Sequence, residues 1–86
     1  MPEISRFFGI IIRMYFDDHT PPHFHAVYGN DEAQISINPI AVLRGDLPPR
    51  AESMVVEWTA LHQNELVENW NRLNKNQPAL KIEPLK

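Results

Sequence analysis

The chain contains no cysteine. That absence excludes a disulfide framework, a thiolate zinc site and a cysteine nucleophile, and it fits a reducing compartment. Glycine is scarce, with three residues in 86, and Gly9, Gly29 and Gly45 are too scattered to form a phosphate-cradling loop. No apolar run is long enough to cross a bilayer. The best candidate, Phe7 to Ile12, falls far short of the roughly 20 residues a spanning helix needs, and Gly9 lies inside it. Positive charge is in the minority: eight Lys and Arg stand against eleven Asp and Glu, for a net charge of −3. Non-specific nucleic-acid binding is mostly phosphate neutralisation, so this balance does not favour nucleic acid as a partner. A cytoplasmic protein without a membrane segment is the expectation, built as one small domain over residues 1–86.

Proline, by contrast, is plentiful, with eight residues, and it divides the chain. The segment 7–16, "FFGIIIRMYF", is rich in β-branched and aromatic residues and reads as a strand. Phe8, Ile10, Ile12, Met14 and Phe16 share one parity and would face the core; Ile11, Arg13 and Tyr15 share the other. Thr20-Pro21-Pro22 ends it. Residues 23–28, "HFHAVY", and 33–38, "AQISIN", follow as strands around a Gly29–Glu32 turn, and 40–44 forms a short fourth strand. Short connections favour an antiparallel meander.

After Leu47-Pro48-Pro49, no glycine or proline interrupts residues 50–74. One long helix is expected there, about 37 Å end to end. Ala51, Val55, Trp58, His62, Leu66 and Leu73 fall on one arc, with Met54, Leu61 and Trp70 at its margins. Pro78 stops the helix, and residues 77–86 would return as an edge strand or a docked tail. The expected fold is α+β: a three- to four-stranded antiparallel meander with one long C-terminal helix packed on one face.

Two gatherings of polar residues stand out. "HTPPHFHA", residues 19–26, holds three of the four histidines. His23 and His25 are two apart on a strand and so point the same way. With His19, Asp17 or Asp18 from the preceding loop they could hold a divalent metal such as zinc, although the sequence does not require one. The plainer reading is a set of imidazoles that hydrogen-bond loop carbonyls. The second gathering is His62, Glu65 and Asn69, which fall on the helix's apolar arc. Buried polar groups need partners, at a cost of about 1–3 kcal/mol when left unpaired, so His62, Glu65 or Asn69 should contact polar groups on the sheet; the His23/His25 face is one candidate, which would place His23, His25, His62 and Glu65 around one polar pocket. His23, His25, His62 and Glu65 are therefore the candidates for catalysis, and Arg13, His19, Asn69 and Trp58 for binding. No Ser-His-Asp constellation can be drawn, because Ser5, Ser36 and Ser53 sit in no nucleophile context.

The stretches "GIIIRMYFDDHTPPHFHAVYG", residues 9–29, and "LPPRAESMVVEWTALHQNELVENW", residues 47–70, resemble a small bacterial family, domain of unknown function 4160. The C-terminal "KIEPL" is similar too. The family's motif positions fall on His19, Pro21, Pro22, His23, Phe24, His25, Trp58, His62, Glu65, Asn69 and Trp70, and so take in both polar gatherings. The resemblance implies a short bacterial protein often encoded beside another small protein, in an arrangement like a two-gene toxin–antitoxin unit. Two functions are carried forward. One is a non-catalytic binding or regulatory module with a small protein partner, or one that self-associates through its long helix. The other is a histidine-based hydrolase or nuclease using His23, His25 and His62, with or without a bound metal.

Overall fold

A computed structural model describes residues 3–16 and 20–86. Five strands form one sheet in sequential order, every pair antiparallel: β1 (Glu3–Phe7), β2 (Ile10–Arg13), β3 (His23–Tyr28), β4 (Asp31–Ile37) and β5 (Ile40–Gly45). Two helices follow, α1 (Pro49–Leu61) and α2 (Gln63–Asn74). The α+β class and the meander are as expected, but the counts differ: there are five strands where three or four were expected, and two helices where one was.

The extra strand comes from a turn inside the first expected strand. Phe7 pairs with Ile10, so Phe8 and Gly9 are the two central residues of a tight hairpin. Both have positive φ, +50° and +81°, as a type I′ turn requires. The parity reading survives beyond the turn: Ile10, Ile12 and Met14 are fully buried, whereas Phe8 and Phe16 are exposed.

The extra helix comes from a break at His62. The buried Thr59 hydroxyl donates back to the Val55 carbonyl at 2.7 Å. The His62 amide bonds Thr59 O, three residues back, at 3.1 Å. Such back-bonding by a β-branched hydroxyl bends helices, and here the backbone leaves the helix at His62 (φ −127°, ψ 25°) before Leu66 N restarts the ladder on His62 O. Leu61, placed by the single-helix reading at the arc's margin, is exposed. At the far end of α2, Asn76 takes a left-handed φ of +59°. Gln77 N bonds Arg72 O and Asn76 N bonds Leu73 O, the two bonds of a Schellman ending.

The core lies between the sheet and the helices. Ile10, Ile12, Phe24, Ala26, Ala33, Ile35 and Ile37 supply one sheet face, and Ala51, Val55, Trp58, Leu66 and Leu73 the helical side. Trp58 is the keystone: its ring lies 5.4 Å from Phe7 and 5.8 Å from Phe24. Residues 77–86 form a docked tail with no regular strand. Its Ile82 N donates to Ile4 O on the outer edge of β1 at 2.8 Å. Among the described residues no helix is long and apolar enough to cross a membrane.

Candidate functional site

The strand register sets the histidine face. Arg13 pairs with His25 and His25 with Gln34, so these three share a sheet face opposite the one that carries Phe24 and Ala26. His23 pairs with Ser36 on the same side. Tyr15, two residues beyond Arg13, sets its ring edge-on to His25 with centroids 4.6 Å apart.

Each described imidazole is oriented through Nδ1. His23 Nδ1 lies 2.8 Å from the Pro21 carbonyl. A carbonyl can only accept, so this nitrogen carries a proton. The Thr20–Pro21 peptide just before it is cis. His25 Nδ1 donates to Glu32 Oε2 at 3.0 Å. Glu32 lies diagonally across the β3–β4 hairpin, two residues from the position directly opposite, which is within reach of a long side chain. The rings of His23 and His25 are 5.4 Å apart, and His23 also meets the Trp70 ring at 5.4 Å. His23 is buried, and the His25 side chain is only 12% exposed. Arg13 is half-buried and makes no ion pair with a described residue.

The helix set is placed differently. His62 Nδ1 donates to Glu65 Oε1 at 2.5 Å, and its ring lies 5.5 Å from that of Trp58. Glu65 is exposed and His62 half-buried. Asn69 is 1% exposed and finds its partner in the tail: Nδ2 donates to Leu80 O at 2.8 Å, and Leu80 N donates to Oδ1 at 2.9 Å. Among the described residues, no hydrogen bond, ion pair or ring contact joins His62 or Glu65 to His23 or His25. The link from helix to histidine face is Trp70 against His23. The helix residue that bonds the sheet is Gln63, whose Nε2 donates to Ile37 O at 2.8 Å.

The residues that could ligate a metal are His23 and His25. No group of three His, Asp or Glu side chains suited to a metal ion gathers among the described residues. His19, Asp17 and Asp18, the expected third ligands, lie outside them. Tyr15, Glu32 and Gln63 went unnoticed as part of either polar set. For Glu32 a signal existed, since residues 32 and 34 follow a short turn and share the parity that faces His25. Gln63 had none, because its role depends on the break one residue earlier.

These features define a small α+β protein with a histidine-bearing sheet face and a tail-clamped helix pair. Residues 9–71 match the family described as Domain of unknown function (DUF4160), and the chain belongs to that family. No curated protein and no solved structure matches the chain. The family match leaves out β1 and the tail, the two segments joined by the Ile82–Ile4 bond.

Proposed function

We infer that the chain is a non-catalytic binding module that takes a small protein partner by strand addition, in a two-gene pair of the toxin–antitoxin kind. The supporting observation is the asymmetry of the sheet's edges. The β1 edge meets the chain's own tail, whereas residues 41–45 of β5 are all exposed, with Val42 at 38% and Leu43 at 42%. β5 reads "IAVLRG" and has one charge and no proline. An edge strand of this kind is a template for another chain, because its outward backbone groups are unpaired. Self-association through β5 is the variant in which the partner is a second copy. Co-expression with the neighbouring gene product should give a complex on size exclusion. Leu43→Lys should abolish it at unchanged melting temperature; a complex indifferent to that substitution rules out the β5 route.

A second reading rests on the two carboxylate-held imidazoles, His25 with Glu32 and His62 with Glu65. Carboxylates at Nδ1 fix the tautomer and orient the ring for acid–base work at Nε2. Under this reading the substrate is a phosphodiester or similar ester, and His23 and His25 add a divalent metal if one is bound. His25→Ala and His62→Ala variants that stay folded should each lose a measured hydrolysis. Metal analysis of untagged protein tests the ion separately.

A further inference from the structure

At the far end of β3 from His23 lies a cleft of about 420 Å³, lined by Phe8, Tyr28, Pro48, Arg50, Ala51 and Met54. Its volume falls in the range of small-molecule sites. His23 and Tyr28 are the two ends of β3, so the cleft is roughly 16 Å along the strand from His23.

Phe8 is anomalous here in two ways. It holds a φ of +50°, where Asn, Asp or Gly is the usual occupant of such a turn. The residue is also 60% exposed. The residue thus adds backbone strain and leaves apolar surface in water. Strained, exposed side chains of this kind gather at ligand sites. Gly9 completes the arrangement. A Cβ there would sit 3.3 Å from Tyr28 Cε1, so the bare backbone lets the tyrosine ring lie across the turn. Two aromatic rings therefore line one side, and the first turns of α1, with Met54 and Ala51, line the other.

Arg50 supplies the charge. It is exposed, it lines the cleft, and its guanidinium makes no ion pair with a described residue. A planar guanidinium matches a carboxylate in a two-point contact. With one cation in the cleft and a net charge of −3 on the chain, the complement is a monoanion and not a polyphosphate.

We propose that this cleft binds a small aromatic carboxylate, with its ring against Phe8, Tyr28 and Met54 and its carboxylate on Arg50. The proposal does not depend on the β5 partner or on the histidines.

The test is an amide NMR titration of the full chain with phenylacetate. Acetate and benzyl alcohol serve as the two half-ligands, and adenosine monophosphate as a more highly charged aromatic. Saturable shifts should appear at Gly9, Tyr28 and Ala51 with phenylacetate, and each half-ligand should bind at least tenfold more weakly. Arg50→Gln should weaken phenylacetate at least tenfold and leave benzyl alcohol unchanged. Phe8→Asn should also lose at least tenfold in binding while raising the melting temperature, because asparagine tolerates the left-handed turn. Absence of saturation with phenylacetate overturns the proposal. Binding of the monophosphate as tight as that of phenylacetate overturns the ligand class, and unchanged binding in Arg50→Gln overturns the role of the guanidinium.

Discussion

Asn69 and Leu80 are joined by a closed pair of hydrogen bonds, side-chain amide to backbone amide, at 2.8 and 2.9 Å. The asparagine copies the donor and acceptor pattern of a strand and so holds a tail that has no strand of its own. Trp58 Nε1 to Glu83 O and Arg72 Nε to Pro78 O, both 2.8 Å, extend the same strap. Asn69→Ala should cost about 2–3 kcal/mol, from two lost bonds worth about 1 kcal/mol each and the unsatisfied Leu80 groups left behind. Asn69→Asp keeps the acceptor but sets a buried carboxylate oxygen against the Leu80 carbonyl, so at neutral pH it should cost at least as much as Asn69→Ala. Urea denaturation gives the magnitudes, and faster hydrogen exchange at Leu80 and Ile82 would localise the loss to the tail.

Gly45, at the end of β5, has a φ of +76°, and a Cβ built there would lie 2.1 Å from the Glu32 carbonyl oxygen. That oxygen belongs to the β4 backbone and has little freedom to move. Gly45→Ala should destabilise by at least about 2 kcal/mol, from the left-handed backbone and the overpacking together. For a domain of this size that lowers the melting temperature by more than about 8 °C. A variant that melts like the parent would show that the β4–β5 pairing, whose register shifts between Gln34 and Ile35, relaxes freely.

Ser5 presents the opposite case. It is buried, and its Oγ finds no hydrogen-bond partner among the described residues. Removing an unsatisfied buried hydroxyl relieves a desolvation cost, so Ser5→Ala should stabilise by about 1 kcal/mol. A loss of stability on thermal melting would mean that the hydroxyl has a partner in solution.

The exposed pair of Glu3 and Arg6 sets a pH signature. Arg6 Nε and Nη2 donate to the two Glu3 oxygens at 3.1 and 2.8 Å. That hydrogen bonding holds the Glu3 carboxyl below its ordinary 4.5; desolvation opposes it, and the positive charge of Arg6 adds to the lowering. A folded value below the unfolded one means that the pair's contribution is present above about pH 4.5 and fades as pH falls through the lower, folded value. The contribution is small because the pair is in water. An NMR titration should find the Glu3 midpoint below 4.5, and Arg6→Ala should raise it.

The buried faces of the sheet were legible because alternation is a local property: Ile10, Ile12, Phe24, Ala26, Ile35 and Ile37 all lie where their parity puts them. The helix arc was legible for the same reason at Val55, Trp58, Leu66 and Leu73. What stayed hidden depends on backbone choices that the side chains do not announce. Phenylalanine gives no sign of a left-handed turn, so the Phe8–Gly9 hairpin looked like continuous strand. Thr59 gives no sign that its hydroxyl turns inward, so the break at His62 and the role of Gln63 were missed. The need of Asn69 for a partner could be read from its place on the arc. The partner could not, because it is backbone from a tail whose course depends on the whole fold.

The bond from Ile82 to Ile4 also has a consequence in time. Synthesis runs from β1 toward the tail, so the first of the described strands is sealed by a segment made after the whole sheet and both helices. Loop-closure entropy grows only slowly with chain length, which keeps this long-range contact affordable at equilibrium. It is nevertheless a late event. While residues 77–86 are still in the ribosome, the nascent sheet has two open edges where the finished one has a single open edge. The Asn69 amide and the Trp58 indole are at that stage still waiting for the backbone that will satisfy them.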